Sequence, residues 1–180
     1  AKARHIVIKK EDYMDLTKYA SDLPYPEIDV EQNVAESKLL MPVYGGSASE
    51  LTAVLTYSFQ RYVSPKYPEI TTALKGIAIT EMHHHELLGE TIYALGGYPV
   101  MGARTYWNGS LVNYTLDPRK YLRQNIVAEE TAILNYERTI LNLTTDSVKM
   151  LLERIILDEE VHIKIFKELL KSQFGEDYDK

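Results

Sequence analysis

The stretches EMHH (residues 81–84) and DEEVH (residues 158–162) each place a His three positions after a Glu. Residues three apart lie on the same face of an α-helix. On either side of each pair, apolar residues recur at intervals of three and four, which is typical of a helix face buried in a core. The sequence therefore predicts two helices that each bury one Glu and one His, namely Glu81 with His84 and Glu159 with His162.

Two further helices are predicted to bury a Glu on an otherwise apolar face. One contains SELTAVLTY (residues 49–57), and the other contains AEETAILNY (residues 128–136). In both, a Tyr follows the Glu by seven residues, which is two helical turns further along the same face. These faces add Glu50 with Tyr57 and Glu129 with Tyr136 to the candidate residues.

The two halves of the chain repeat one pattern. Glu129 follows Glu50 by 79 residues, and Glu159 follows Glu81 by 78 residues. Each half therefore presents Glu, Tyr, Glu and His in the same order. This repetition indicates a bundle with approximate twofold symmetry.

The first helical segment, from about residue 33 to residue 63, contains residues that interrupt helices. Pro42 lacks a backbone donor, and the two glycines that follow it have low helix propensity. We expect either one kinked helix, or a short helix followed by a second helix that Ser47 or Ser49 caps.

Three longer helices follow in the sequence. They are expected at about residues 68–95, 118–143 and 148–174. Pro68 and Pro118 suit first helical turns, and glycines follow the first and the last of these helices. The connections between the four segments are short, long and short. This order predicts an all-α, four-helix bundle made of two helical hairpins joined by a long crossover.

The chain divides into three regions in this interpretation. Residues 1–33 form an N-terminal extension, residues 34–174 form the bundle, and residues 175–180 form an acidic tail. Within the extension we expect a short strand at residues 6–8 and a weak helix around residues 11–20. The long connection is rich in aromatic side chains, so we expect it to cover part of the bundle or of a partner subunit.

Composition argues against several classes of function. The 180 residues carry a net charge of -6 and contain no Cys, which disfavours nucleic-acid binding, thiolate metal sites and Cys nucleophiles. No apolar run is long enough to span a membrane. The aliphatic run near the N-terminus is too short for the apolar region of a secretory signal. We expect a cytoplasmic protein whose partners include neither nucleic acid nor membranes.

The four buried carboxylates require compensation by positive charge. An ionised carboxylate loses its hydration in a core, and four of them repel one another. Two divalent cations would balance four glutamates. One Glu from each of two helices, with a Glu-x-x-His from each of the other two, is the ligand set of di-iron and di-manganese bundles. The expected metal ligands are Glu50, Glu81, His84, Glu129, Glu159 and His162.

Tyr57 and Tyr136 lie on the same helix faces as two of these glutamates. We expect each hydroxyl to hydrogen-bond to a ligand carboxylate or to the bound oxidant. Other polar residues nearby fall off the buried faces and are expected to face solvent, an interface or the outside of the site. They are His83, His85, Glu86, Glu90, Glu130, Glu137 and Glu160.

With these motifs, residues 34–173 resemble the ferritin-like superfamily, which includes bacterioferritin, rubrerythrin and manganese catalase. The resemblance implies two metal ions per chain, iron or manganese, with zinc as another ion that the ligands would accept. It also implies that Glu81 and Glu159 bridge the metals. Rubrerythrins carry a Cys-rich module that delivers electrons, and because this sequence contains no Cys, any reductant must come from an external electron donor.

The resemblance implies a di-metal oxidoreductase that acts on hydrogen peroxide or dioxygen. Iron with an external donor would give a rubrerythrin-like peroxidase or oxidase, whereas manganese would give a catalase. The alternatives are a ferroxidase or iron-binding protein, which needs a storage shell, and a metal-stabilised structural protein of the coat type, which needs no turnover. We expect a homo-oligomer, a dimer or larger.

Overall fold

The computed structural model describes residues 15–178, and within that range the chain is helical without a β-strand. Five α-helices follow one another along the chain. They are α1 (Val34–Gly45), α2 (Glu50–Tyr62), α3 (Pro68–Ala94), α4 (Pro118–Ile140) and α5 (Asp146–Phe174). Two short 3-10 helices, Leu16–Tyr19 and Gly109–Leu111, lie in the N-terminal extension and in the long connection.

The first helical segment consists of two helices and not of one kinked helix, which is the second of the two alternatives that the sequence left open. Ser49 caps α2 by accepting a hydrogen bond from the Thr52 N–H, while α1 tolerates Pro42 near its C-terminal end. The backbone between the helices is not helical, so Ser47 is exposed instead of lying on the buried face. Of the two candidate caps, Ser49 is therefore the one that the structure uses.

The other helix ends agree with the sequence to within a few residues. The α4 helix stops at Ile140, three residues before the predicted end. The α5 helix ends at Phe174, as predicted, and Gly175 follows it with a left-handed φ of 69°. In the extension, the expected helix around residues 11–20 is reduced to the 3-10 turn Leu16–Tyr19 within the described part. The expected strand at residues 6–8 lies outside the described residues.

The helices pack as two hairpins, α2 with α3 and α4 with α5. Across the hairpins, α2 runs antiparallel to α4, and three buried polar pairs join α4 to α2 and to the turn that follows α2. Tyr57 contacts Glu129, Gln60 exchanges two hydrogen bonds with Asn125, and Ser64 contacts Tyr121. Because residue numbers rise on α2 while they fall on α4, these pairs set the register of the two helices.

The core has two apolar layers with polar side chains between them. One layer includes Ile70, Leu74 and Ile77 of α3 together with Phe166 of α5. The other includes Leu88 of α3 together with Leu152 and Ile155 of α5. The Glu-x-x-His pairs of both helices fall between these layers. Burial of the apolar faces therefore holds the polar side chains at one level of the bundle. Within residues 15–178, no helix is long and apolar enough to cross a membrane.

The long connection between α3 and α4 packs against α1 and α2. The Trp107 indole donates to Thr52 Oγ1 at 2.9 Å, and the Tyr44 hydroxyl donates to the carbonyl of Pro99 at 3.1 Å. Several of its aromatic side chains, in contrast, remain exposed in the single chain, including Tyr98 and Tyr106. The connection therefore covers part of the bundle, with Trp107 half-buried against α2.

Glu36 of α1 links that helix to the start of α5. Its carboxylate is buried and accepts hydrogen bonds from the backbone and hydroxyl of Thr144 and from the backbone of Thr145. Burial raises the pKa of Glu36, but these hydrogen bonds outweigh burial and leave the pKa below its usual value. The charged form therefore stabilises the folded chain.

We expect Glu36→Gln to lower the free energy of unfolding by about 1–2 kcal/mol at pH 7, because hydrogen bonds to a charged acceptor are lost. A carboxyl whose pKa is lowered on folding contributes stability above its unfolded pKa, near 4.3, and loses it as pH falls through the folded pKa. The difference should therefore shrink below about pH 4. Urea unfolding of metal-stripped protein measures it. Glu153→Gln, an exposed carboxylate on α5, is the control, and a difference independent of pH would contradict the assignment.

Candidate metal centre

Four helices bring six candidate ligands together at the level between the apolar layers. Glu50 comes from α2, Glu81 and His84 from α3, Glu129 from α4, and Glu159 and His162 from α5. All six side chains are at most 3% exposed. Helical periodicity therefore predicted correctly which face of each helix turns inward.

Glu81 and Glu159 each contact both histidines, with one carboxylate oxygen for each. Glu81 Oε2 lies 3.2 Å from His84 Nδ1, and Glu81 Oε1 lies 3.0 Å from His162 Nδ1. Glu159 Oε1 lies 3.6 Å from His84 Nδ1, and Glu159 Oε2 lies 3.0 Å from His162 Nδ1. Two carboxylates arranged in this way have the placement that a pair of bridging ligands needs.

Glu50 and Glu129 each approach one histidine. Glu50 Oε2 is 3.6 Å from His84 Nδ1, and Glu129 Oε1 is 3.7 Å from His162 Nδ1. Each half of the cluster thus combines one histidine, one carboxylate of its own and the two shared carboxylates. The arrangement reproduces the approximate twofold symmetry of the sequence.

Crowding of carboxylates controls the electrostatics of the cluster. Burial and the charges of Glu81 and Glu159 raise the pKa of Glu50 and of Glu129 well above the usual range. Burial by itself would lower the pKa of the two histidines, but hydrogen bonds and charges of neighbouring carboxylates outweigh it and raise both pKa values. The cluster therefore favours positive charge at its centre.

The donor set fits two divalent cations. Two groups of donor atoms each lie within 4.8 Å of one another, and the groups share two carboxylates. The first group is Glu50, Glu81, His84 and Glu159, and the second is Glu81, Glu129, Glu159 and His162. Oxygen donors with a single imidazole per cation suit manganese and iron, and two divalent charges would balance four carboxylates.

The two tyrosines, which the sequence treats as equivalent, differ in the structure. The Tyr57 hydroxyl donates to Glu129 Oε1 at 2.5 Å, as expected. Among the residues that the structure describes, the Tyr136 hydroxyl finds no hydrogen-bond partner although it is buried. Within residues 15–178, the symmetric expectation is therefore met by Tyr57 and not by Tyr136.

A cavity of about 220 Å³ reaches the cluster between α2 and α4. Glu50 and Glu129 line it, and so do both tyrosines. Small side chains such as Ala128 and Ala132 form part of its wall. Its size admits a small molecule to the side of the cluster opposite the outward-facing nitrogens of the histidines.

The remaining polar candidates lie away from the cluster, as expected. Glu160 is exposed although its neighbour Glu159 is buried. His83 is half exposed beside Glu86, and His85 stacks on Tyr44 with the ring centroids 4.2 Å apart. These residues contribute no donor atom to the two groups.

Sequence reasoning missed three residues that surround His84. Asp158 Oδ2 lies 2.9 Å from His84 Nε2, and Asp158 also contacts Arg154 and the hydroxyl of Tyr25. Burial raises the pKa of Asp158, but its hydrogen bonds with His84, Tyr25 and Arg154 outweigh burial and lower the pKa to about 2. Arg154 and Asp158 are four residues apart on α5, which is a signal for an ion pair, but nothing in the spacing indicates that the pair is buried.

The architecture belongs to the ferritin-like class of helical bundles. The manganese catalase KatB of Anabaena superposes with a TM-score of 0.76 at 24% identity, over 89% of this chain and 85% of that protein. This likeness concerns the fold.

The chain belongs to the rubrerythrin family, which matches residues 46–170. Protein CotJC of Bacillus subtilis is 30% identical over 183 residues, covering 85% of this chain and 92% of that protein. A protein of Clostridium acetobutylicum named "Probable manganese catalase" is 25% identical over 178 residues, covering 86% of this chain and 79% of that protein. The family match spans all six clustered residues and both tyrosines.

We expect Glu81→Ala and Glu159→Ala each to abolish the binding of two metal ions, because each carboxylate contacts both halves of the cluster. Glu160→Ala is the matched control, since Glu160 is the exposed neighbour of Glu159. Elemental analysis of purified protein gives the metal count per chain. Two ions in Glu159→Ala together with a loss in Glu160→Ala would contradict the placement.

Removal of metal should lower the melting temperature at pH 7.5, because the crowded carboxylates then lose their compensating charge. At free metal about 100-fold above Kd, the expected decrease is on the order of 5–10 °C. Calorimetry before and after chelation, and again after manganese is restored, measures it. Glu81→Ala should show no such decrease, and an equal melting temperature for both forms of the unaltered protein would contradict metal-linked stability.

Proposed function

We propose that this protein is a di-metal carboxylate oxidoreductase that acts on hydrogen peroxide or dioxygen. The observation that carries the proposal is the pair of overlapping donor groups, which share Glu81 and Glu159 and open onto a small cavity. A structural ion pair or a single-metal site would need neither the shared carboxylates nor the access. In this proposal Glu50, His84, Glu129 and His162 complete the ligand set.

Among the reactions of this class, we favour the disproportionation of hydrogen peroxide with manganese as the metal. One peroxide is reduced to two waters with two electrons and two protons, and a second peroxide is oxidised to dioxygen and returns the same electrons and protons. Two adjacent metal ions supply a store for the two electrons between the half-reactions. The relative named "Probable manganese catalase" supports this choice.

The protein's own groups bind and orient the small substrate. The unpartnered Tyr136 hydroxyl can hydrogen-bond to a molecule in the cavity. The Tyr57 hydroxyl donates to Glu129 and so holds that carboxylate in one orientation. Glu50 and Glu129 both line the cavity. Their carboxylate oxygens can accept the protons that a peroxide molecule releases when it is oxidised.

A peroxide assay tests the proposal. Protein loaded with manganese should consume peroxide without a reductant and release one dioxygen for every two peroxides consumed, as measured with an oxygen electrode. Glu159→Ala should lose this activity together with its metals. Turnover that depends on an added reductant and releases no dioxygen would instead assign a peroxidase that uses an external electron donor.

The remaining alternatives are outcomes of the same experiment. Rapid oxidation of ferrous iron without peroxide turnover, in a large hollow assembly, would favour a ferroxidase or iron-binding role. Two bound metals without turnover of peroxide or dioxygen would favour a metal-stabilised structural role. Light scattering of the same sample tests the proposed homo-oligomer.

A further inference from the structure

A strap formed by residues 19–25 of the N-terminal extension closes the bundle on the side away from the cavity. It contacts the outward-facing nitrogens of the candidate histidine ligands, directly in one case and through one side chain in the other. Its position is set by Tyr19, whose ring rests against Gly76 of α3: a Cβ at Gly76 would lie 2.2 Å from a ring carbon of Tyr19.

The strap reaches His162 through a backbone carbonyl. His162 Nε2 lies 2.9 Å from the carbonyl oxygen of Tyr19. A carbonyl only accepts hydrogen bonds, so the proton of His162 is held on Nε2 and Nδ1 is left to face the carboxylates. The group behind this histidine is therefore neutral.

The strap reaches His84 through Asp158, which is fully buried. Asp158 Oδ2 lies 2.9 Å from His84 Nε2 and also accepts from the Tyr25 hydroxyl at 2.5 Å. Asp158 Oδ1 accepts from the backbone of Ser21 and from Arg154 Nη1, each at 2.6 Å. With three other donors directed at it, Asp158 acts as an acceptor, so the group behind this histidine is anionic.

Arg154 ties the strap to this carboxylate. Its Nε donates to the carbonyl of Leu23 at 2.6 Å, and its Nη2 donates to the carbonyl of Ser21 at 2.9 Å. The guanidinium also lies 4.2 Å from the centroid of the Tyr25 ring. The side chain is 6% exposed, so this contact is a built part of the fold.

We propose that the strap orients both histidine ligands and makes the two metal positions unequal, with the tighter position at His84. A carboxylate behind a ligating imidazole increases its donor strength more than a neutral carbonyl does. The inference rests on the proposed metal centre. It assigns Tyr19, Tyr25, Arg154 and Asp158 as positioning residues, which act through the histidines.

Stepwise titration with Mn²⁺ against a chromophoric chelator tests the proposal on the full chain. The unaltered protein should bind two ions with distinguishable affinities, and the first ion should give the EPR signal of an isolated Mn²⁺. Asp158→Asn should weaken the affinity for the first ion by about 10- to 100-fold and so reduce the difference in affinity between the two ions. Tyr25→Phe should change the same step in the same direction, by less.

Gly76→Ala should have the opposite effect and increase the difference in affinity between the two ions. The new Cβ displaces the Tyr19 ring and with it the carbonyl behind His162, so the second step should weaken by about 10- to 100-fold while the first is retained. Tyr19→Ala removes the ring that packs on Gly76, and it replaces Gly76→Ala in the titration if that variant does not fold. Gly89→Ala on the same helix, where the new Cβ would meet Tyr44 at 3.3 Å, is the matched control.

The outcomes separate the strap from the metal centre. Opposite changes in this difference in affinity for Asp158→Asn and Gly76→Ala support the proposal, because a general loss of structure would weaken both steps together. Equal affinities in the unaltered protein, or equal changes of both steps in the variants, would overturn it and leave the metal centre intact. An unaltered protein that binds fewer than two Mn²⁺ would overturn the metal centre itself.

Discussion

Four carboxylates buried between two apolar layers impose the constraint on which the rest of this structure depends. Each of α2 to α5 contributes one of them, and all four are at most 3% exposed between the two apolar layers. Their mutual repulsion opposes the packing that brings them together. Cations that bind there would relieve this repulsion, so the core and the proposed metal centre stabilise each other.

The symmetry of the cluster is broken where the chemistry would take place. The sequence presents the two halves as equivalent, but α2 begins at Glu50, whereas α4 runs for several turns before Glu129. The non-helical backbone before Glu50 borders the cavity, and Tyr136, the residue related to Tyr57, keeps an unpartnered hydroxyl there. The end of a helix on one side thus borders the space that the cavity occupies.

The opposite side of the cluster is closed by the extension. The strap covers the histidines there, so the cavity side and the histidine side carry different tasks. On the cavity side, carboxylates and the Tyr136 hydroxyl would meet a molecule that enters, according to the proposed function. On the strap side, hydrogen bonds hold the two imidazoles. The two imidazoles are therefore held by packed helices and by the strap, on the side away from the cavity.

The sequence by itself determined the helices, their inward faces and the six clustered residues, because helical periodicity is local and a Glu on an apolar face is a strong signal. It also anticipated the family, on motifs from all four helices. Only the tertiary structure decided the break before Glu50, the unequal tyrosines and the burial of Arg154 with Asp158. These depend on contacts between segments that are distant in the sequence, and the partners of Asp158 and Arg154 in the extension, Ser21 and Tyr25, lie more than 130 residues away. No spacing along one helix encodes which distant backbone carbonyl or carboxylate will lie behind a histidine, since that choice is made when the extension packs on the bundle.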